Sequence, residues 1–225
     1  MDIQNNQRIS YQGFLSNVFK YLMLGIGLTT ITSIVVSMIL TYVQFNGVTI
    51  GIMIICSIIE IIMVIRLSKK ILDLSFDVAQ KYFYIYSIIN GITMSFVLAT
   101  IAPKVSILAF ALTFAFFGLL YTISTHTTYD FSKIGRISLY ALSILLIGYI
   151  ILFFIQAPLL YYGIVFIDLA LFTGITLYDM QKIKTYYMES SIEALPSMAM
   201  MSALEIYLDF INIFLDIVML LDDFV

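Results

Sequence analysis

Residues 167–214 read IDLALFTGITLYDMQKIKTYYMESSIEALPSMAMMSALEIYLDFINIF, two apolar segments joined by a short polar loop. Both segments are hydrophobic enough to lie in a membrane, yet the first carries Asp179 and the second carries Asp209. An ionised Asp at the centre of a membrane helix costs about 2.5–3.5 kcal/mol on insertion scales. Both carboxylates therefore require a partner, a water-filled cavity or a proton, and we place the functional centre of the protein at these two residues.

The composition indicates a membrane protein with several spans. Of the 225 residues, 62% are hydrophobic and 11% are charged, whereas soluble domains are about 45–50% apolar and about 25% charged. The net charge of −3 and the scattered basic residues argue against nucleic acid as a partner. Cys56 is the single cysteine and lies in an apolar run, which excludes a disulfide framework and a cysteine-based metal site within this sequence.

Seven segments are long enough to cross a bilayer, which needs about 20 apolar residues per helix. We predict one integral membrane domain over residues 1–225, with spans at 19–43, 47–67, 82–102, 105–124, 137–156, 159–180 and 196–221. With a cytoplasmic N-terminus, every Lys and Arg except Lys104 falls on the inner side, as the positive-inside rule requires. This predicts a multi-pass protein with its N-terminus in the cytoplasm, and the short loops favour the cytoplasmic membrane of a prokaryote.

Small residues recur at four-residue spacing in two of the spans. They are Gly25, Thr29 and Ser33 in the first span and Ser87, Gly91 and Ser95 in the third. Small side chains along one face allow helices to approach closely in lipid. We therefore predict that these two rows form packing seams.

Other acidic residues accompany the central two. In the last span Glu205, Asp209, Asn212 and Asp216 follow one helical stripe. In the sixth span Asp168 and Asp179 are about three turns apart and share a face. For Asp168 and Asp216, a hydrogen bond to Ser, Tyr or Arg on another helix is an equal alternative to a functional role.

We predict that an ion path uses the carboxylates of several spans. Its predicted residues are Glu60, Asp179, Glu205, Asp209 and Asp216. Metal-ion ligands are predicted to be Glu60, Asp179 and Asp209, and a counter-charge is predicted from Arg66, Lys69 or Lys70. The expected partners are calcium ions, protons and the lipid bilayer, with no cofactor.

Two neighbouring carboxylates offer a chemical switch, because they do not both ionise cheaply. A proton shared between Asp179 and Asp209 would join their helices by a hydrogen bond. Loss of that proton would make the helices repel and would leave a site of hard, anionic oxygens. Calcium prefers such ligands and takes six to eight oxygens in flexible geometry. The pair therefore predicts an acid-sensing gate on a cation path.

Two motifs resemble those of a known family, and the likeness extends over nearly the whole chain. Residues 178–183, YDMQKI, resemble the signature that ends the sixth helix of the Bax inhibitor-1 (transmembrane Bax inhibitor motif) proteins. Residues 207–214, YLDFINIF, are similar to the motif of their final helix. Residues 86–95 are similar to their third helix, and residues 14–30 resemble the opening of their first.

The resemblance implies an all-α membrane fold of seven transmembrane helices, six of them surrounding a central C-terminal helix. It also implies a pH-sensitive calcium leak channel of the bacterial type, with Asp179 and Asp209 as the latch and Glu60 facing it. Glu205 and Asp216 depart from the small or amide residues usual at their positions, so this path is expected to be more acidic than the family pattern.

Three other functions are compatible with the same residues. Proton-coupled cation exchange would use the same carboxylates. A regulatory membrane protein that binds a protease or an apoptosis-type partner is a further alternative that the family includes. An intramembrane aspartyl protease is disfavoured, because its Gly-x-Gly-Asp element is missing where Asp209 follows Tyr207 and Leu208. We therefore predict a protein that is not an enzyme.

Overall fold

The computed structural model describes residues 9–43, 47–70, 74–155 and 157–222, without the side chains of residues 68–70 and 153. Within these ranges the chain forms seven α-helices and a short 3-10 helix, Ile192–Ala194, and it forms no strand. The α-helices are α1 (Tyr11–Leu40), α2 (Gly47–Lys70), α3 (Phe76–Leu98), α4 (Pro103–His126), α5 (Ser132–Phe154), α6 (Pro158–Glu189) and α7 (Leu195–Leu221). The predicted all-α class is confirmed.

Five of these helices are long and apolar enough to cross a membrane. They are α1, α4 and α6 over their whole length, together with residues 47–67 of α2 and 132–152 of α5. The last helix, α7, is of comparable length but carries Glu205, Asp209 and Asp216. Length and composition together establish an all-α membrane protein.

Two helices run well beyond the spans predicted from hydropathy. Helix α1 begins at Tyr11 rather than at residue 19, because the Ser10 hydroxyl accepts a hydrogen bond from the Gly13 N–H at 3.1 Å and caps the helix. Helix α6 continues past residue 180 to Glu189, since no Pro or Gly interrupts residues 181–189. Hydropathy marks where a segment leaves the apolar layer, whereas the helix itself ends where backbone hydrogen bonding ends.

The chain folds as two compact units. Unit 1 comprises Met1–Ala102 and Ile183–Tyr207, and unit 2 comprises Pro103–Lys182 and Leu208–Val225. Helices α6 and α7 each contribute one part to unit 1 and the other part to unit 2. The single domain over 1–225 and the central position of the last helix stay predictions.

Unit 1 is built on α3, against which α1 and α2 both pack. A Cβ added to Gly91 would lie 2.7 Å from the Thr29 carbonyl oxygen, and one added to Gly25 would lie 2.6 Å from the Phe83 ring. The small hydroxyl residues of both rows are also buried: Thr29, Ser33, Ser87 and Ser95. Both predicted packing seams are confirmed, and the structure adds that the two rows pack against each other.

Unit 2 is held together by close helix contacts and by aromatic rings. A Cβ added to Gly135 of α5 would lie 2.5 Å from the side chain of Tyr178 on α6. The Phe210 ring of α7 packs against α4, with centroid distances of 4.9 Å to Phe114 and 5.2 Å to Phe117. This packing fixes the segments of α6 and α7 that carry the central aspartates.

Candidate functional site

The two central aspartates, here called the motif pair, both lie in unit 2 and are both buried. Asp179 on α6 is 8% exposed and Asp209 on α7 is 3% exposed. A buried carboxylate in an apolar helix requires a partner that offsets its negative charge, and Asp179 has such a partner in Lys182. The Lys182 Nζ lies 3.1 Å from Asp179 Oδ1 and 5.1 Å from the centroid of the Tyr178 ring.

Lys182 is not among the counter-charges predicted from the sequence. Its position could have indicated this role, since Asp179 and Lys182 are three residues apart and such pairs are neighbours on a helix surface. Of the predicted cations, Arg66 is exposed on α2. The side chains of Lys69 and Lys70 lie outside the described residues.

A second pair of acids, here called the distal pair, occupies unit 2 as well. Asp168 on α6 is 8% exposed and Asp216 on α7 is 4% exposed. Asp168 Oδ2 accepts a hydrogen bond of 2.7 Å from the Tyr149 hydroxyl of α5, as the structural alternative for this residue requires. Asp168 also lies close enough to Asp216 for their charges to interact.

The distal pair indicates how the faces of α6 and α7 are oriented in unit 2. Asp179 follows Asp168 by eleven residues and Asp209 precedes Asp216 by seven, which are about three turns and about two turns. Asp179 therefore lies on the same face of α6 as Asp168, and Asp209 lies on the same face of α7 as Asp216. Helices joined by so short a connection run antiparallel, so helix geometry predicts an axial offset of about 6 Å between Asp179 and Asp209.

Tyr207, the first residue of the final-helix motif, is fully buried in unit 1. Its hydroxyl lies 2.6 Å from Thr29 Oγ1 and donates toward Asn90 Oδ1 at 3.0 Å. Because Thr29 donates its own proton to the Ser87 carbonyl at 2.9 Å, the Tyr207 proton serves both Thr29 and Asn90. Tyr207 thereby ties α7 to α1 and α3.

Glu60 lies in unit 1, where its half-buried carboxylate has Asn90 and Thr93 of α3 within hydrogen-bonding reach. Asn90 is thus shared between Glu60 and the Tyr207 hydroxyl. Glu60 is predicted to lie on the ion path, and in unit 1 its carboxylate is linked to the Tyr207 hydroxyl through the Asn90 side chain.

Glu205 is also half-buried in unit 1, where its Oε1 accepts a hydrogen bond of 3.2 Å from the Tyr186 hydroxyl. Glu60 and Glu205 therefore lie in unit 1, whereas Asp179, Asp209 and Asp216 lie in unit 2. Over the described ranges, no three His, Cys, Asp or Glu residues are grouped so as to hold a metal ion. A cation held by one carboxylate pair would complete its shell with water or carbonyl oxygens.

Gln181, the fourth residue of the sixth-helix motif, holds the α4–α5 loop. Its Nε2 donates to the Tyr129 carbonyl at 2.8 Å, and its Oε1 accepts from the Phe131 N–H at 3.0 Å. This role was not apparent from the sequence, because both partners are backbone groups about fifty residues away. The motif thus holds one buried acid, its cation and one loop clamp.

Comparison with known proteins agrees with the two motifs. The family model described as "Inhibitor of apoptosis-promoting Bax1" matches residues 11–224. The inner membrane protein YbhL of Escherichia coli K12 is 32% identical over 163 residues, covering 69% of this chain and 68% of that protein. An uncharacterized protein of Deinococcus radiodurans is 34% identical over 157 residues, with coverage of 69% and 68%.

A membrane protein of Streptococcus pyogenes serotype M6 is 32% identical over 139 residues, which cover 62% of this chain and 61% of that protein. A Borreliella burgdorferi protein is 28% identical over 155 residues, with coverage of 68% and 67%. The family match spans all seven helices, including both motifs on α6 and α7. The chain therefore belongs to the Bax inhibitor-1 family of membrane proteins.

Proposed function

We propose that the protein is a pH-sensitive leak channel for calcium and related cations, gated by the motif pair Asp179 and Asp209. The observation that carries the proposal is the burial of both carboxylates on α6 and α7 within unit 2. Two acids are retained in a membrane protein at considerable energetic cost, and such residues usually mark an ion or proton pathway.

The gate would work through the charge of the pair. When their side chains span the axial offset and bring the two carboxylates to about 4 Å, they repel by about 4 kcal/mol at an effective dielectric constant near 20, so at least one proton is retained while they are in contact. Lys182 offsets the charge of Asp179, and in this proposal Asp209 is the group that gains and loses the proton. Protonated, the pair joins α6 to α7. Deprotonated, it repels, and the gap between the helices becomes an anionic passage.

Calcium is the proposed substrate, because flexible clusters of carboxylate oxygens favour it over magnesium. Glu60, Glu205 and Asp216 remain the candidates for further positions along the path, and no cofactor is required. The relative named as an inner membrane protein supports the prokaryotic cytoplasmic membrane as the location. The positive-inside rule supports a cytoplasmic N-terminus.

The direct test is calcium flux into liposomes that hold the purified protein, across about pH 5 to 8. The native chain is compared with Asp179→Asn, Asp209→Asn and Asp222→Asn, the last removing an exposed acid just beyond the end of α7. We expect a pH-dependent leak that the first two substitutions alter and the third leaves unchanged. A leak that responds equally to all three would move the gate elsewhere, and the absence of flux at every pH would refute the channel.

Two alternative functions predict different experimental results. Calcium accumulation against its gradient, driven by an imposed proton gradient, would identify proton-coupled exchange instead of a passive leak. The family description names inhibition of an apoptosis-promoting protein, which favours a regulatory role if the liposomes show no flux. That role predicts that the protein copurifies with a specific membrane partner, such as a protease, after crosslinking in its native membrane.

A further inference from the structure

We propose that the distal pair, Asp168 and Asp216, forms with Tyr149 a second binding site in unit 2, for a partly hydrated divalent cation. The site is separate from the motif pair, about two to three helical turns along the same helices. It does not require that the protein conducts ions, because binding is measurable without transport.

The first reason is that both acids are buried with oxygens left unsatisfied. Asp168 is 8% and Asp216 is 4% exposed. Among the described residues, Asp168 Oδ1 and Asp216 Oδ2 are buried without a hydrogen-bond partner. Native proteins rarely leave buried polar oxygens unpaired, so these two oxygens are suited to bind a proton or a cation.

The second reason is the surrounding charge. Asp168 and Asp216 interact electrostatically with each other and with the hydroxyl group of Tyr149. The Tyr149 hydroxyl also interacts electrostatically with Tyr161. Within the described part of the chain, neither acid forms an ion pair with Lys or Arg, whereas Asp179 has Lys182. The two distal acids must therefore be neutralised by protons or by a bound cation.

A bridging cation and a shared proton require different distances between the oxygens of the two acids. Two carboxyl groups that share a proton approach to about 2.5–2.7 Å between oxygens. Among the described residues, Asp168 Oδ1 and Asp216 Oδ2 accept no hydrogen bond, although the charges of the two acids interact. Oxygens that bridge one calcium ion lie farther apart, since each is about 2.3–2.6 Å from the metal. Two buried oxygens without hydrogen-bond partners, on acids whose charges interact, fit a bridging cation.

Tyr149 completes the arrangement from a third helix. Its hydroxyl donates to Asp168 Oδ2, which orients that carboxylate and leaves Oδ1 for the ligand. Hydrogen bonds of this kind typically hold metal-binding carboxylates in place, and their loss typically lowers metal affinity about 10–100-fold. The ligand class is a hard divalent cation, because carboxylate oxygens are the preferred ligands of such ions.

The test measures radioactive calcium binding to the purified protein by equilibrium dialysis at neutral pH. The starting chain carries Asp179→Asn and Asp209→Asn, so the motif pair contributes nothing to the result. We expect about one calcium ion per chain in this background, lost on adding Asp168→Asn or Asp216→Asn and retained with the matched control Asp222→Asn. Asp216→Glu should retain binding, which separates lost ligation from lost folding, and Tyr149→Phe should weaken it about tenfold or more.

A second readout uses terbium, which replaces calcium and is excited through nearby tyrosine. The chain has 16 tyrosines and no tryptophan, so Tyr149→Phe should remove far more of the emission than Tyr140→Phe, a change at an exposed position of the same helix. Calcium bound equally by the Asp216→Asn and Asp222→Asn chains would overturn the site. So would proton uptake by the distal pair without any bound calcium or terbium.

Failure of this experiment is distinguishable from failure of the proposed channel. Loss of calcium binding at the distal pair is measured in a chain whose motif pair is already substituted. Calcium flux, by contrast, is measured in the native chain and depends on Asp179 and Asp209. Binding without flux would support the distal site and refute the channel, whereas flux with no distal binding would do the reverse.

Discussion

Lys182 Nζ contacts Asp179 Oδ1 at 3.1 Å, one helical turn away on α6. The buried acid that was predicted to act with Asp209 thus has a cation on its own helix. In the proposed gate, this cation decides which member of the pair holds the proton. The consequence is measurable as a shift of the pH at which the leak is half-maximal.

Lys182→Met should move the pH midpoint of calcium flux upward by about one unit. Without the ammonium, a negative Asp179 is less favourable, so the pair retains its proton to higher pH. The control is Lys184→Met, which removes an exposed lysine from the same helix. A midpoint that moves equally in both variants, or moves downward in Lys182→Met, would contradict this role of Lys182.

Gly91→Ala should destabilise the protein. The added methyl group would lie 2.7 Å from the Thr29 carbonyl oxygen and 2.7 Å from Thr32 Cβ, so α1 and α3 would have to separate. Overpacking of this kind costs about 1–3 kcal/mol. The matched control is Gly27→Ala on α1, where a Cβ meets nothing within 4 Å. Thermal unfolding in detergent should show a lower midpoint for Gly91→Ala and an unchanged or higher one for Gly27→Ala.

Tyr207→Phe should also lower stability, by about 1–3 kcal/mol, because it leaves buried partners without the shared proton. The hydroxyl lies 2.6 Å from Thr29 Oγ1 and 3.0 Å from Asn90 Oδ1. Tyr140→Phe serves as the control, since Tyr140 is 75% exposed. Equal thermal midpoints for the two variants would show that the buried hydrogen bonds contribute nothing net.

Asp130 offers a pH-dependent prediction in the α4–α5 loop. The hydroxyl and the backbone N–H of Ser132 both donate to Asp130 Oδ1, and these hydrogen bonds hold the pKa of the Asp130 carboxyl below its usual range. A depressed pKa in the folded state contributes stability above the unfolded value of about 3.9, and this is lost as the pH falls through the folded value.

Asp130→Ala should therefore unfold at a slightly lower temperature than the native chain at neutral pH, and this difference should shrink as the pH falls through the folded-state pKa of the Asp130 carboxyl. The control Asp222→Ala removes another exposed acid, just beyond the end of α7. A difference between Asp130→Ala and the native chain that stays the same throughout an acid titration would show that the carboxylate charge is not what stabilises the loop.

The sequence was sufficient for the helices and for the packing seam, because both depend on local patterns. Apolar segment length predicts a membrane helix, and small residues at four-residue spacing predict a closely packed face at Gly91, although its partner, α1, is known only from the structure. Helix ends were less accessible, as the extension of α6 to Glu189 shows. The burial of Asp179 and Asp209 agrees with the carboxylates being the unusual feature of these segments.

The polar partners could not be read from local patterns. Tyr207 and Thr29 are 178 residues apart, and the choice of Tyr149 for Asp168 depends on which face of α5 meets α6. Hydropathy reports which segments leave water and carries no information on which faces meet. Lys182 is the exception, because its three-residue spacing from Asp179 places the two side chains side by side on one helix.

The clamp formed by Gln181 has a consequence for substitution at that position. Its side chain offers one donor and one acceptor, side by side, to the backbone of a loop. The Gln181 amide therefore pairs with the loop as a backbone peptide group would. Glutamate supplies two acceptors and lysine only donors, so either replacement would leave one backbone group of the loop without its hydrogen bond, even though both side chains are of similar length to glutamine.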